Sequence, residues 1–522
     1  MPEGGLINTE KVHSRKYQEA IAGKVAEGGN SLVILPTGLG KTIVALLVIE
    51  RKLMGGKRVL FMAPTRPLAE QHQKTLSGML NLPPGRTVLL TGTTPAEKRA
   101  ALWQDAFIIC ATPQTIENDL RAGRISLDRF GLCVVDEAHR SIKKYAYTYV
   151  AEVCKSKGVQ LLGLTASPGG KRERIEEVTK ALGVKLIEIR TEADEDVAPY
   201  VKKLDVKWVG VVLPQKMQEM KEELDKVVSD RLAPLRNMHL INTTSPRLPK
   251  RVILEVGKKL MAKPDSDRLK FVMLSHYATV MNLMHAHELL ETQGISAFLE
   301  FFRKLEAREK RSKAVDRILT DPLIKRVLRK AEEFRLAEGE HPKLAKLVEL
   351  LKMRPGKKII VFVQFRDQVK RIVEELKAKG FRAEQFVGKR EGVKLKDQKE
   401  TIQKFRDGLF DVMVASSIGE EGLDIPSVDA VIFYEPIPSE IRSIQRRGRA
   451  GRAKAGEVVI MITRDTRDEA YFWVARRKES KMRSIVKGMQ AGMVTKEGQE
   501  EPESDGGKAS REGQAKMTEF LE

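Results

Sequence analysis

Short runs rich in β-branched and aliphatic residues recur through the first third of the chain. They lie at Ser31–Leu35, Arg58–Met62, Thr87–Thr91, Ala106–Cys110, Leu132–Val135 and Gln160–Leu164, with amphipathic or polar stretches between them. A run that is apolar on both sides must be covered on both sides, so strands alternating with helices predict a parallel sheet between two helical layers. The same rhythm returns after His341, at Lys358–Val363, Arg382–Phe386, Asp411–Ala415, Ala430–Tyr434 and Glu457–Ile462. The stretch between the two blocks opens with a strand-like run, Val206–Leu213. It then carries helical periodicity over Gln215–Leu232, Arg268–Thr292, Ile295–Ala314 and Pro322–Glu338. The expected fold class is α/β, with parallel-sheet domains over 1–197 and 341–486 and an inserted α-helical domain over 198–340. Residues 487–522 are expected to be a disordered linker, because Gly498–Gly513 offers almost nothing apolar to bury.

At 522 residues the chain is too long for one core, in keeping with several domains. Its formal net charge of +22 favours a polyanionic partner, most simply nucleic acid. Cys110, Cys133 and Cys154 lack paired zinc spacing, and an odd count argues against a disulfide framework. The polar N-terminus lacks the apolar core of a signal peptide, and no run approaches a membrane span, so a cytoplasmic location is expected. His285 and His287 are two residues apart on a predicted helix and point to different faces, which suits packing better than metal binding.

Three elements carry chemistry. Leu35-Pro36-Thr37-Gly38-Leu39-Gly40-Lys41-Thr42 follows a predicted strand and opens a helix, the context of a phosphate-binding loop. Gly38 and Gly40 let backbone N–H groups turn toward phosphates, Lys41 adds positive charge, and Thr42 offers a hydroxyl to Mg²⁺. Val134-Val135-Asp136-Glu137-Ala138-His139 then delivers Asp136 to the sheet edge, where it can hold the metal shell. Glu137 stands beside it to orient or deprotonate water. Some 300 residues further on, Gln445, Arg449 and Arg452 lie in an arginine-rich loop suited to a developing phosphoryl charge. One chain with both loops implies ATP bound between two domains.

With these elements the chain resembles superfamily 2 helicases bearing an Asp-Glu-Ala-His motif. Arg15-Lys16-Tyr17-Gln18 resembles their adenine-recognition motif, with Gln18 reading the base, although Lys16 stands where proline is frequent. Pro64-Thr65-Arg66-Pro67-Leu68 and Ala111-Thr112-Pro113-Gln114-Thr115 are similar to strand-contacting motifs, which implies nucleic-acid contacts from Thr65, Arg66 and Thr112. Thr165-Ala166-Ser167 resembles the motif that couples hydrolysis to domain movement. Glu421-Gly422-Leu423-Asp424-Ile425-Pro426 resembles one that touches nucleotide and strand, implying roles for Gly422 and Asp424. Leu35 replaces the usual first glycine of the phosphate loop. Within the superfamily, Ala111–Leu120, Gly163–Gly169, Tyr434–Pro436 and Ile441–Arg452 are most similar to archaeal Hef and the eukaryotic Fanconi anaemia M and Mph1 translocases. That resemblance implies two RecA-like motor domains around a helical insert, 3′-to-5′ movement, and remodelling of forked or Holliday-like DNA with single-stranded contacts. Alternatives are an RNA-dependent ATPase of the RIG-I-like kind, or a clamp-docked DNA-binding adaptor without catalysis.

Hef proteins often add a nuclease marked by Glu-Arg-Lys with Asp after three residues. The tripeptide here, Glu50-Arg51-Lys52, has Gly56 at the Asp position, so a helicase-only form is expected, working if need be with a separate nuclease. A basic run in the insert, with Arg311, Lys313 and Arg317 at its centre, is expected to grip a duplex arm. The segment Gln514 to Leu521 is similar to the peptide by which proteins dock on the sliding clamp (PCNA), with Gln514, Met517, Phe520 and Leu521 as anchors.

Overall fold

The computed structural model of the chain describes residues 5–495 apart from 144, 168, 170–171, 193, 201–204, 388–394, 417–427 and 438–455. The aliphatic runs of the first block become β1 (Ser31–Ile34), β2 (Arg58–Met62), β3 (Thr87–Leu90), β4 (Ile108–Ala111), β5 (Phe130–Asp136), β6 (Gln160–Thr165) and β7 (Leu186–Ile189). All pair in parallel, in the order β3-β4-β2-β5-β6-β1-β7. Helices α1 (Lys16–Glu27), α2 (Lys41–Met54), α3 (Arg66–Met79), α4 (Ala96–Asp105), α5 (Pro113–Arg121), α6 (Ala146–Ser156) and α7 (Arg172–Leu182) cover them. Successive strand residues feed opposite layers: Leu60, Cys133 and Leu161 enter one apolar core, and Phe61, Val134 and Leu162 enter the other. The expected set lacked β7. Its Glu188 breaks the aliphatic run, yet is buried there between Lys24 and Arg190.

The second sheet comprises β8 (Asp205–Val211), β9 (Ile359–Phe362), β10 (Ala383–Phe386), β11 (Val412–Ala415), β12 (Ala430–Phe433) and β13 (Glu457–Thr463). It too is parallel, in the order β10-β11-β9-β12-β13-β8. The run at Val206–Leu213, read with the helical insert, is corrected by this pairing. Seven residues of β8 align with β13, so the chain closes the edge of the second sheet before it builds the bundle. Sequence distance hides this, because the two partners lie about 250 residues apart.

The insert packs α8 (Gln215–Asn237), α9 (Lys250–Met261), α10 (Arg268–Thr292), α11 (Ile295–Glu306), α12 (Lys313–Leu319) and α13 (Pro322–Ala337) around one apolar core. The expected helix Ile295–Ala314 is two helices. Apolar anchors stop at Leu305, residues 306–313 are exposed, and Ser312 caps α12 through the Val315 N–H. The chain then adds α14 (Pro342–Lys352), α15 (Arg366–Ala378), α16 (Leu395–Arg406) and α17 (Arg467–Thr495). The last of these extends past 486, so the second domain ends in a long helix that runs into the segment read as linker. No helix among the described residues is long and apolar enough to cross a membrane.

Insert and second sheet share a buried polar seam. His287, 3% exposed, bonds Asp225 at 2.6 Å and lies 3.2 Å from Glu291. Arg467, at the start of α17, donates to the carbonyls of Met284 and Pro246 at 3.2 and 3.4 Å. Lys343 and Asp468 form an ion pair with almost no exposure. His285 stacks on Phe301 and Phe365. The two histidines thus serve different surroundings, His285 an aromatic one and His287 an acidic one.

Candidate nucleotide and nucleic-acid site

Because every strand of the first sheet runs the same way, the loops after β1, β2, β4, β5 and β6 all open on one edge. That carboxyl edge is where parallel α/β sheets bind ligands. After β1, Leu35 N–H still bonds the Thr165 carbonyl at 3.1 Å; the chain then turns through Gly38 (φ 87°) and Gly40 (φ 77°) into α2. Both glycines hold left-handed backbone that side chains rarely adopt. A Cβ on Gly38 would meet nothing within 4 Å, which leaves its backbone open to a ligand. A Cβ on Gly40 would strike the Gln18 amide. Gln18 is itself buried: its Nε2 donates to the Leu39 carbonyl at 3.0 Å and its Oε1 accepts from Arg15 N–H at 2.9 Å. Tyr17 Oη also reaches the Leu39 carbonyl, at 2.7 Å. The motif around Gln18 and the phosphate loop with Thr37, Lys41 and Thr42 are therefore one braced unit. Lys41 Nζ donates to the Leu35 carbonyl at 3.1 Å.

β5 ends on Asp136, which is 8% exposed. Its Oδ2 accepts from His72 Nε2 at 2.9 Å, and its carbonyl accepts from Tyr147 Oη at 2.8 Å. Burial pushes the Asp136 carboxyl up, but the His72 bond, the charge of Lys41 and the Glu137 N–H together outweigh it and hold it below the usual carboxylate range. Glu137 follows at φ 50°, a left-handed conformation for a residue with a side chain, which costs of order 1–3 kcal/mol. Glu137 Oε2 lies 3.3 Å from His139 Nδ1, and the same nitrogen is 3.2 Å from Thr165 Oγ1. Thr165 Oγ1 in turn donates to the Ser167 carbonyl at 3.0 Å. Ser167 Oγ donates to the sulfur of Met482 on α17 at 2.9 Å. Polar contacts thus run from Glu137 through His139 and Thr165 to the Ser167 backbone, and the Ser167 side chain meets a helix that starts in the second domain.

β2 and β4 are neighbours, and α3 and α5 begin immediately beyond them at Thr65 and Thr112. Prolines in both first turns suit helix starts, whose unpaired N–H groups favour anions such as phosphate. Among the described residues, the buried Thr65 Oγ1 has no partner. Thr112 Oγ1 lies 2.8 Å from Thr115 Oγ1. Arg66 is exposed at the head of α3. One turn on, Glu70 accepts from Lys399 of α16 at 2.8 and 2.9 Å, across the two sheet domains. Helix α3 therefore holds Lys399 through Glu70 and Asp136 through His72.

His72, Glu70 and Met482 escaped sequence reasoning, because no local spacing marks a residue whose partner is 64 to 329 positions away. In the insert, Arg311 and Lys313 are exposed, with Arg311 Nε 3.9 Å from Asp316. Arg317 is half-buried and donates to Thr279 Oγ1 at 3.1 Å. Gly422, Asp424, Gln445, Arg449 and Arg452 lie outside the described residues, as do Gln514, Met517, Phe520 and Leu521.

An open glycine backbone, a lysine, a helix N-terminus carrying Thr42, and a buried carboxylate kept ionised make a donor set that fits a nucleoside triphosphate with Mg²⁺.

Residues 15–175 match the DEAD/DEAH box helicase family, and residues 342–454 match the helicase conserved C-terminal domain. Residues 216–338 match a helical bundle described as that of a putative ATP-dependent RNA helicase. The chain is similar to the solved helicase domain of Pyrococcus furiosus Hef, with TM-score 0.72 and 43% identity, covering 90% of this chain and all of that one. It is 39% identical to a putative ATP-dependent RNA helicase of Methanocaldococcus jannaschii over 93% of this chain and 62% of the relative. It is 34% identical to the ATP-dependent DNA helicase mph1 of Neurospora crassa over 91% of this chain and 43% of that protein. The DEAD-box ATP-dependent RNA helicase FANCM of Arabidopsis thaliana is also 34% identical, over 92% of this chain and 36% of that protein. The chain thus spans from about a third to under two thirds of the length of these relatives.

Proposed function

The chain belongs to the Hef, FANCM and Mph1 family of superfamily 2 helicases, and on that footing we propose that it is an ATP-driven translocase, moving 3′ to 5′ and remodelling forked or Holliday-like DNA. The observation that carries the reading is the polar chain from Glu137 through His139, Thr165 and Ser167 to Met482. It joins the residue proposed to act on the attacking water to a helix that begins in the other domain, which is what conversion of hydrolysis into movement needs.

Bound ATP with Mg²⁺ supplies the phosphoryl group that passes to water. Gly38, Gly40 and Lys41 are to cradle and neutralise the phosphates, with Gln18 recognising the base and Thr37 lining the loop. Thr42 and Asp136 are to hold the metal, and Glu137 to orient the attacking water and take its proton. Gln445, Arg449 and Arg452 are to approach from the second domain and stabilise charge developing on the transferring γ-phosphoryl group, aided by Gly422 and Asp424. Arg66, Thr65 and Thr112 are to track the strand backbone, and the arm around Arg311 and Lys313 a duplex.

These 522 residues are expected to leave DNA uncut. Glu50 of the lone Glu-Arg-Lys tripeptide accepts from Ile7 N–H at 2.9 Å and sits in helix α2. The Gln514–Leu521 segment is proposed to dock on a sliding clamp.

ATP turnover with single-stranded DNA, duplex, a model fork and double-stranded RNA, against Lys41→Ala, tests the reading. Strongest stimulation by the fork supports it. The names of two relatives and of the bundle family favour a second reading, an RNA-stimulated ATPase, and strongest stimulation by RNA would establish that one instead.

A further inference from the structure

Thirteen large apolar residues are exposed among the described residues, and four of them, Met261, Leu269, Phe271 and Val272, fall within twelve positions of the insert. Large apolar residues scattered singly over a surface need no explanation; a cluster does. The first turn of α10 is turned inside out. Lys270 is 8% exposed, its ammonium bonded to Asp265 at 2.6 Å, while Phe271 is 60% exposed and Leu269 and Val272 are each 48% exposed. Burying a lysine costs more than burying a phenylalanine. An ordinary solvated turn would reverse the arrangement. Asp267 fixes it by capping the helix through the Leu269 N–H at 3.0 Å.

Helices α9 and α10 are antiparallel: Gly257 packs on Tyr277, and Lys250 lies 3.8 Å from Glu288. Met261 and the start of α10 therefore share one end of the bundle. The other end of α10 is held to the second domain through Glu288, Glu291 and Arg467. From Glu288 to Leu269 is about 28 Å of helix. The apolar end is thus the tip of an arm whose root is bolted to a motor domain.

What covers this tip must tolerate positive charge. Of the basic residues here, Lys250, Arg251, Lys263 and Lys270 pair with carboxylates, while Lys258 and Lys259 are exposed, Lys258 between Leu254 and Met261 on the same face of α9. An apolar, aromatic-tipped surface in a basic rim matches a ligand with flat hydrophobic faces and anionic edges. Unpaired bases on their phosphate backbone are that ligand. Resting on the branched-DNA reading above, we infer that the α9–α10 tip is a base-contacting wedge: Phe271 stacks on an unpaired base at a strand junction, Leu269 and Val272 support it, and Lys258 and Lys259 hold the flanking phosphates.

The test uses the full chain without ATP, on a splayed fork carrying 2-aminopurine at the junction and on a blunt duplex of equal length. Phe271→Ala is expected to weaken fork binding about ten-fold, the scale of one base–aromatic stack, and to abolish quenching of the probe. Phe271→Trp should retain both, and duplex affinity should be unchanged. Wild-type affinity and quenching in Phe271→Ala would overturn the inference. So would a shift of Phe271→Ala from dimer to monomer in sedimentation, which would assign the tip to a second copy of the chain. ATP turnover stimulated by single-stranded DNA, measured in parallel, separates the two readings. Its absence in the wild type removes the motor proposal, while binding and quenching still decide the wedge.

Discussion

Ser167 Oγ donates to Met482 Sδ at 2.9 Å, although the two residues lie 315 positions apart in different domains. Both are buried, Ser167 at 2% exposure and Met482 at 5%, and Met482 belongs to the apolar core of the first domain together with the flanking Ile485. Helix α17 leaves the second sheet at Asp468, whose carboxylate pairs with the buried Lys343, and ends its described path against β7 of the first. The two sheet domains are therefore joined by a helix as well as by a cleft.

Removing the Met482 side chain should separate packing from coupling. Met482→Ala is expected to destabilise the protein by about 2–4 kcal/mol, the usual range for emptying a buried site. Met482→Leu keeps the volume, costs under about 1.5 kcal/mol, and removes only the sulfur acceptor. Both should lower the distance travelled per ATP, measured as triplex displacement against phosphate release. If Met482→Leu is unchanged in that ratio, the Ser167 bond carries no signal.

Gly40→Ala should act through Gln18. The new Cβ meets the Gln18 amide, which otherwise holds the Leu39 carbonyl at 3.0 Å, and the left-handed backbone adds about 1–2 kcal/mol of strain. Gly40→Ala is expected to lower Tm by more than Gly38→Ala does, with partial recovery of Tm when Gln18→Ala is added to make room. Gly38→Ala meets no atom and should show the strain without the recovery.

His72 bonds the carboxylate that the proposed function assigns to Mg²⁺. His72→Ala leaves Asp136 Oδ2 buried without its donor, a loss of about 1–3 kcal/mol in the nucleotide-free protein. The rise in Tm on adding Mg²⁺ with a non-hydrolysable ATP analogue should consequently be larger in the variant. Equal drops with and without nucleotide would mean that the His72 bond persists in the nucleotide state.

His341 predicts acid sensitivity. It caps α14: Nδ1 accepts from Lys343 N–H at 3.1 Å, so Nε2 carries the proton and donates to the Glu291 carbonyl at 2.9 Å. Burial, then the charge of Lys343, depresses its pKa to about 3. A depressed native pKa means that the unfolded chain binds the proton first. The stability linked to neutral His341 is complete above about pH 6.5 and falls by about 1.4 kcal/mol per unit between there and pH 3. His341→Asn, which keeps a capping oxygen, should flatten the denaturation slope by that amount between pH 6.5 and 4. A wild-type slope in the variant would contradict the assignment.

The sheet domains and the phosphate loop were legible in the sequence because their determinants are local. Aliphatic runs on strands, left-handed glycines at 38 and 40, and proline at a helix start act within a few residues of themselves. The position of Asp136 at a strand end was readable for the same reason, whereas Thr65 and Thr112 were singled out by family resemblance and prove to open the helices after β2 and β4. The sequence alone also determined that the middle of the chain is helical, since its period is 3.6. What it could not determine is which distant segments meet. β8 joins β13 through backbone hydrogen bonds that carry no side-chain signature. His72 finds Asp136 and Met482 finds Ser167 only because parallel strands bring their loops to one edge and α17 crosses to it. Phe271 lies inside the helical run Arg268–Thr292, yet its exposure was not legible, because periodicity reports the spacing of a face and only packing decides whether that face is covered.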